Sequence, residues 1–153
     1  MPGYGISAAQ DGLLEWAWAA ERLAFSHDFW LATVRPDGRP HVMPVWAVWR
    51  GDALWFTTAA GSIKARNLAG EPRCTLTTDD ALEPVVLEGR ASQVTDPVAT
   101  AAFLAASNEK YGLDRGLDFL DPAVNHIIRV APDVVFALTE ADPTGSPTRW
   151  YFD

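Results

Sequence analysis

Phe29-Trp30-Leu31-Ala32-Thr33-Val34, then Pro36-Asp37-Gly38, then Pro40-His41-Val42-Met43-Pro44-Val45-Trp46-Ala47-Val48-Trp49, then Arg50-Gly51-Asp52, then Ala53-Leu54-Trp55-Phe56-Thr57-Thr58, is the stretch that decides the fold. Aromatic and β-branched residues fill the three long runs, and Pro, Asp and Gly fill the two short ones, so the stretch reads as three strands joined by two turns. Short connections of this kind make neighbouring strands antiparallel, and the simplest result is a meander. Pro44 has no N–H to give a ladder. It marks an edge, a bulge, or an opening where another group meets the backbone.

Working outward, Ser62 to Leu68 reads as a short helix ending near Gly70, and Pro72 to Thr78 as a strand with Cys74 and Leu76 on one face. Val85 to Val94 is a long strand, with Gly89 a candidate bend. Asp96-Pro97 caps and opens a helix through Ala99, Ala102, Phe103, Leu104 and Ala106. Residues 112–124 show no clear periodicity. His126 to Val130 and Val134 to Leu138 read as two late strands parted by Pro132-Asp133, and Thr148 to Phe152 as a short last one. Towards the N-terminus, Asp11 is placed to cap a helix over Leu13 to Leu23, with Leu13, Leu14, Ala17 and Ala20 on its apolar side. Six or more strands with modest helices predict a mainly β domain whose sheet closes, or nearly closes, into a barrel, since closure removes exposed edges.

With 153 residues the chain fits one domain over 1–153, with an N-terminal helical segment at 1–24 and a C-terminal tail at 141–153 that packs on the barrel or on a partner. The net charge is −8. Between Arg35 and Arg73, however, six cations face only Asp37, Asp52 and Glu71, which makes that stretch +3 and the remainder −11. A cationic patch on an acidic chain has a reason if a phosphate or carboxylate binds there. The acidic total argues against a general nucleic-acid binder and against an anionic membrane surface. Cys74 is the one cysteine, so the chain can form no internal disulfide and no thiolate metal cluster. No segment reads as a signal peptide or a membrane span, and a cytoplasmic location is expected. Seven tryptophans exceed what one small core hides, and some are expected to line a ligand cleft or a subunit interface.

Ser62, Lys64, Arg66 and Asn67 form the strongest local candidate site. Amides at a helix start, a hydroxyl, an ammonium and a guanidinium are all anion-binding groups. Lys64 and Arg66 are two apart and point in different directions on a helix, so one can grip a ligand while the other faces solvent. The same residues would equally make a solvated helix face. His27, His41 and His126 lack metal-ligand spacing, and no Gly-x-Gly-x-x-Gly fingerprint is present.

Trp30-Leu31-Ala32-Thr33, Gly38-Arg39-Pro40-His41-Val42 and Pro44-Val45-Trp46 resemble the opening of the pyridoxamine 5′-phosphate oxidase-like split-barrel family. Lys64-Ala65-Arg66-Asn67-Leu68 with Pro72-Arg73-Cys74 resembles its flavin/deazaflavin oxidoreductase B branch, in which coenzyme F420 often replaces FMN. The likeness runs from about residue 25 to 140, and Arg149-Trp150 with Phe152 resembles the usual ending. It implies a six-stranded antiparallel split β-barrel with short flanking helices. It also implies a homodimer with cofactor clefts at the interface, and F420- or FMN-dependent hydride transfer to a small organic acceptor. Its alternatives are a non-catalytic flavin, F420 or haem-related binding protein, and a pyridoxamine 5′-phosphate oxidase-like FMN enzyme. By the same likeness, Ser62, Lys64, Arg66 and Asn67 hold the cofactor phosphate with hydroxyls of Thr57 and Thr58. Met43, Pro44, Val45 and Trp46 flank the ring, and Arg149 and Trp150 border the cleft. Thr57 and Thr58 alternate in a strand, so both cannot touch one phosphate directly.

Overall fold

A computed structural model of the protein describes residues 13–153. The strands are β1 Phe29–Val34, β2 Pro40–Val45, β3 Ala47–Trp49, β4 Leu54–Ala59, β5 Arg73–Thr78, β6 Val85–Val94, β7 Asn125–Ala137 and β8 Thr148–Tyr151. The helices are α1 Trp16–Phe25, α2 Ile63–Gly70 and α3 Pro97–Tyr111, with one 3₁₀ turn at Leu117–Leu120. All strand pairings are antiparallel. No helix among the described residues is long and apolar enough to cross a membrane. The expected Asp11 cap lies outside the described residues, and the buried positions of α1 are Ala19 and Leu23 rather than Ala17 and Ala20.

The fold is mixed α/β rather than mainly β, and its sheet differs from the expected six-stranded split barrel, closed or nearly closed. Eight strands form one curled sheet in the order β2-β1-β5-β6-β7-β4-β3, with β8 on β7, and the hydrogen-bonded path stays open. The expected meander divides at Trp46. Residues 40–45 pair with β1 and residues 47–49 pair with β4, at opposite ends of the path. One residue therefore joins the two end strands, and the sheet must curl until its ends approach. Pro44, opposite Trp30, lies on an end strand, where the missing donor need not break a ladder.

The two late strands merge into the single 13-residue β7. Pro132 is tolerated because it faces the irregularity between Glu88 and Gly89 of β6. It also stands between the part of β7 that pairs with β4, ending at Val130, and the part that pairs with β8, starting at Val134.

Alternation along the strands buries two sets of side chains. Phe29, Leu31, Leu54, Phe56, Leu76, Leu87, Val130 and Val135 fill the concave side with Ala19 and Leu23 of α1. Val48, Ala53, Trp55, Phe103 and Ile127 pack on the other side under α3. Strand β4 is buried on both faces, so its residues alternate between the two clusters: Trp55 points towards α3 and Phe56 into the larger core. In the C-terminal segment, Trp150 and Phe152 meet Trp16 edge to face, with ring centroids 5.4 and 5.1 Å apart, and Trp49 joins them at 6.1 Å.

Candidate functional site

The corner where β2 passes into β3 borders a cleft of about 300 Å³, lined by Asp28, Pro44, Val45, Trp46, Thr57, Lys64 and Arg115. Each wall has a local cause. β2 pairs only with β1 and β3 only with β4, so each keeps one edge without a strand partner on either side of Trp46. Alternation along β4 turns Thr57 to the side of Trp55 and into the cleft. It turns Thr58 inward, where its hydroxyl lies 2.8 Å from Ser62 Oγ.

Helix α2 is held by the residues that resembled a phosphate cradle. Ser62 is its N-cap, and its Oγ accepts a hydrogen bond from Ala65 N at 3.1 Å. Asn67 is buried, and its Nδ2 donates to Thr33 Oγ1 at 2.9 Å, which ties the helix to β1. With Ala65, Asn67 and Leu68 buried, Lys64 projects along the cleft and Arg66 projects into solvent. Of the sequence candidates, the fold brings Pro44, Val45, Trp46, Thr57 and Lys64 together. Met43 is exposed on β2. Arg149 lies over the Phe136 ring at 5.7 Å, and Trp150 belongs to the cluster around Trp16, so neither lines this cleft.

Pairing accounts for two of the six cations in the cationic stretch. Arg39 bonds Asp37 at 2.7 Å and Arg73 bonds Glu71 at 2.6 Å. These partners hold the Glu71 carboxyl down to about 2 and the Asp37 carboxyl below its usual range. Among the described residues, Lys64 and Arg115 have no carboxylate at ion-pair distance.

Asp28, Arg115 and the end of α3 went unrecognised in the sequence. The Trp46 ring stacks on Tyr111, with centroids 4.8 Å apart and planes 9° apart, and His27 meets both rings edge-on. The Tyr111 hydroxyl sits 2.8 Å from the Ala47 carbonyl oxygen and 2.9 Å from that of His27. Lys110 Nζ donates to the same Ala47 oxygen at 2.8 Å. Burial lowers the Lys110 ammonium to about 8, against an opposing pull from Asp28, and raises the Tyr111 phenol above its ordinary range. The last turn of α3 thus fixes both the Trp46 ring and the peptide that follows it. Residues 112–124 gave no periodic signal. The turn after Tyr111 depends instead on Gly112 at φ 63, the left-handed cap that ends α3.

The other histidines stand apart. His41 Nδ1 lies 3.4 Å from Thr33 Oγ1, and His126 lines a separate cavity of about 80 Å³ under α2. No group of three metal-ligating side chains occurs among the described residues. The Cys74 thiol is buried, which pushes it up to about 12 and leaves it protonated and unreactive at neutral pH.

Residues 19–139 match the family described as pyridoxamine 5′-phosphate oxidase. No curated protein matches the chain significantly. A solved structure described as an F420 reductase is 31% identical, with a TM-score of 0.62, covering 75% of this chain and 93% of that one. A conserved hypothetical protein from Mycobacterium tuberculosis is 23% identical with a TM-score of 0.76, covering 88% and 90%. A heme binding protein from Mycobacterium smegmatis is 20% identical with a TM-score of 0.70, covering 88% of this chain and 57% of that one. At those two identities the likeness concerns the fold. The family match spans most of the chain, and with the curled antiparallel sheet it places this protein in the pyridoxamine 5′-phosphate oxidase-like split-barrel family.

Proposed function

We propose that the protein binds a phosphorylated flavin or deazaflavin, FMN or coenzyme F420, in the cleft and acts as an oxidoreductase with it. The reading rests on one observation: Lys64, with no carboxylate partner among the described residues, lies in a cleft with the Trp46 ring and two strand edges that lack partners. When bound, such a cofactor supplies the hydride chemistry. Lys64 holds the phosphate and the Thr57 hydroxyl adds a neutral hydrogen bond. Backbone at 44–46 meets the polar edge of the ring, and Trp46, held by Tyr111, covers a ring face and keeps water out.

A cleft of about 300 Å³ is at the lower end of ligand pockets. A second copy of the chain completes it. Trp30, Val34 and Val42 on the outer face of β1 and β2 are exposed apolar side chains that a partner would cover.

The test is equilibrium binding of FMN and of F420, followed by fluorescence, to the wild type and to Lys64→Ala. The variant is expected to lose about 1–3 kcal/mol of affinity, the worth of a charged hydrogen bond. Unchanged affinity removes Lys64 from the site.

A second reading is binding without turnover, and the lining of the cleft supports it. Asp28 is the one acid there, its Oδ2 lies 2.9 Å from His27 Nδ1, and no His, Cys or Tyr joins it. A carrier binds stoichiometrically and does not accelerate oxidation of the reduced cofactor. An oxidoreductase turns it over when an acceptor is supplied.

A further inference from the structure

We infer that Arg115 is a second anion anchor in the cleft, one that takes a carboxylate while Lys64 takes the phosphate; this rests on the cofactor reading above. The two cations arrive from different elements, Lys64 from α2 and Arg115 from the turn behind α3, yet both line one cleft. The turn is built around Arg115. Asn108 Nδ2 donates to the Arg115 carbonyl at 3.0 Å, and Arg115 N donates to Asn108 Oδ1 at 3.3 Å, so one side-chain amide brackets the backbone of that residue. Leu113 N donates to the Asn108 carbonyl at 2.9 Å and closes the loop.

The guanidinium carbon lies 4.2 Å from the centre of the Phe119 ring. Stacking on an aromatic face occupies the plane of a guanidinium and leaves its N–H groups free at the rim. Those groups form a planar fork that matches a carboxylate with two parallel hydrogen bonds, which an ammonium cannot do. Among the described residues no acid takes that position. What sets Arg115 apart is its place: it lines the cleft with Lys64, with its guanidinium plane on Phe119 and its backbone held by Asn108. The acid that does line the cleft, Asp28, is already bonded to His27.

The carboxylate has two possible sources: a second, acidic substrate beside the cofactor, or the glutamyl tail of F420 itself. FMN carries a phosphate and no carboxylate. Calorimetric titrations of the full-length protein separate the sources, using the wild type, Arg115→Ala and Arg115→Lys. In one arm, FMN-saturated protein is titrated with 4-nitrobenzoate and with its neutral counterpart 4-nitrobenzamide. In the other, F420 is titrated with and without its glutamyl residues.

FMN affinity is expected to fall less in Arg115→Ala than in Lys64→Ala, because the phosphate belongs to Lys64. Affinity for the carboxylate probe is expected to fall about tenfold or more, with Arg115→Lys recovering only part of it. Loss confined to 4-nitrobenzoate assigns the anchor to an acidic substrate, and loss confined to glutamylated F420 assigns it to the cofactor tail. If neither carboxylate arm changes in Arg115→Ala, the inference is overturned. If Lys64→Ala keeps its FMN affinity while an Arg115 arm responds, the phosphate assignment falls and the carboxylate anchor stands. Arg115→Lys keeps the charge on an intact turn, so a folding defect in the alanine variant is separable from lost recognition.

Discussion

The Ala47 carbonyl collects two donors from α3, the Lys110 ammonium at 2.8 Å and the Tyr111 hydroxyl at 2.8 Å. Lys110 is the costlier of the two, because its ordinary value of 10.5 falls to about 8 on burial. Between these values the unfolded chain holds a proton that the folded chain has released, so Lys110 makes stability rise with pH across that window. Cys74, raised from 9.0 to about 12, and Tyr111, raised from 10.0, act in the opposite sense above about pH 9. Comparing wild type with Lys110→Met cancels these two. In urea unfolding, the wild type is expected to gain stability relative to the variant as pH rises from about 8 to 9. A pH-independent difference would show that the ammonium is not desolvated. Lys64 was legible as a cleft candidate because it stands in a helix start after a Thr-rich strand end. Arg115 was not, because what holds it at the cleft is Asn108 seven residues earlier and Phe119 four residues later.

Among the elements, β6 and β7 fit each other at one point of forced geometry. A Cβ on Gly89 would run into the Ala131 carbonyl and come within 3.1 Å of Pro132 Cα, both parts of a neighbouring backbone that cannot rotate away. Gly89→Ala is therefore expected to cost about 1–3 kcal/mol in urea unfolding, by local overpacking of two central strands. A loss below about 0.5 kcal/mol would mean that β7 yields at Pro132. The bend at Gly89 was readable from a lone glycine in an apolar run. The union of the two late strands was not, because Pro132 and Asp133 look like a turn in isolation. Only the Gly89 irregularity across the ladder, and the change of partner from β4 to β8, make a proline acceptable there. The split between β2 and β3 was hidden for the opposite reason. Val45-Trp46-Ala47-Val48-Trp49 is one unbroken apolar run, and its division shows only in which distant strands claim each half.

At the scale of the whole molecule, the exposed apolar side chains of the β1–β2 face bear on assembly. Val42 is 52% exposed and Trp30 48%, on one face of β1 and β2, while Phe29, Leu31 and Val45 on the other face belong to the core. A glutamate at Val42 leaves the core untouched and places a charge on the proposed dimer surface. Val42→Glu is expected to shift the protein from dimer to monomer in sedimentation velocity and to weaken FMN binding in parallel. A variant with the sedimentation behaviour of the wild type would remove this face from the interface. The antiparallel β architecture and the flanking helices were legible from alternation and turn chemistry. The number of strands and the open path were not, since they follow from long-range pairing that local pattern does not encode.

Trp46 gives the molecule a seam. At this one residue the chain steps between strands at opposite ends of the sheet, and the last turn of α3 braces the join together with the His27 ring. Protons on the amides of residues 45–47 are therefore expected to exchange with deuterium faster than those of the central strands β6 and β7, and FMN is expected to slow them selectively. If they exchange as slowly as the central strands without any ligand, the join is already sealed. If a cofactor binds there, it would act as a closing stitch, and the empty form is expected to be the one most open to proteolysis.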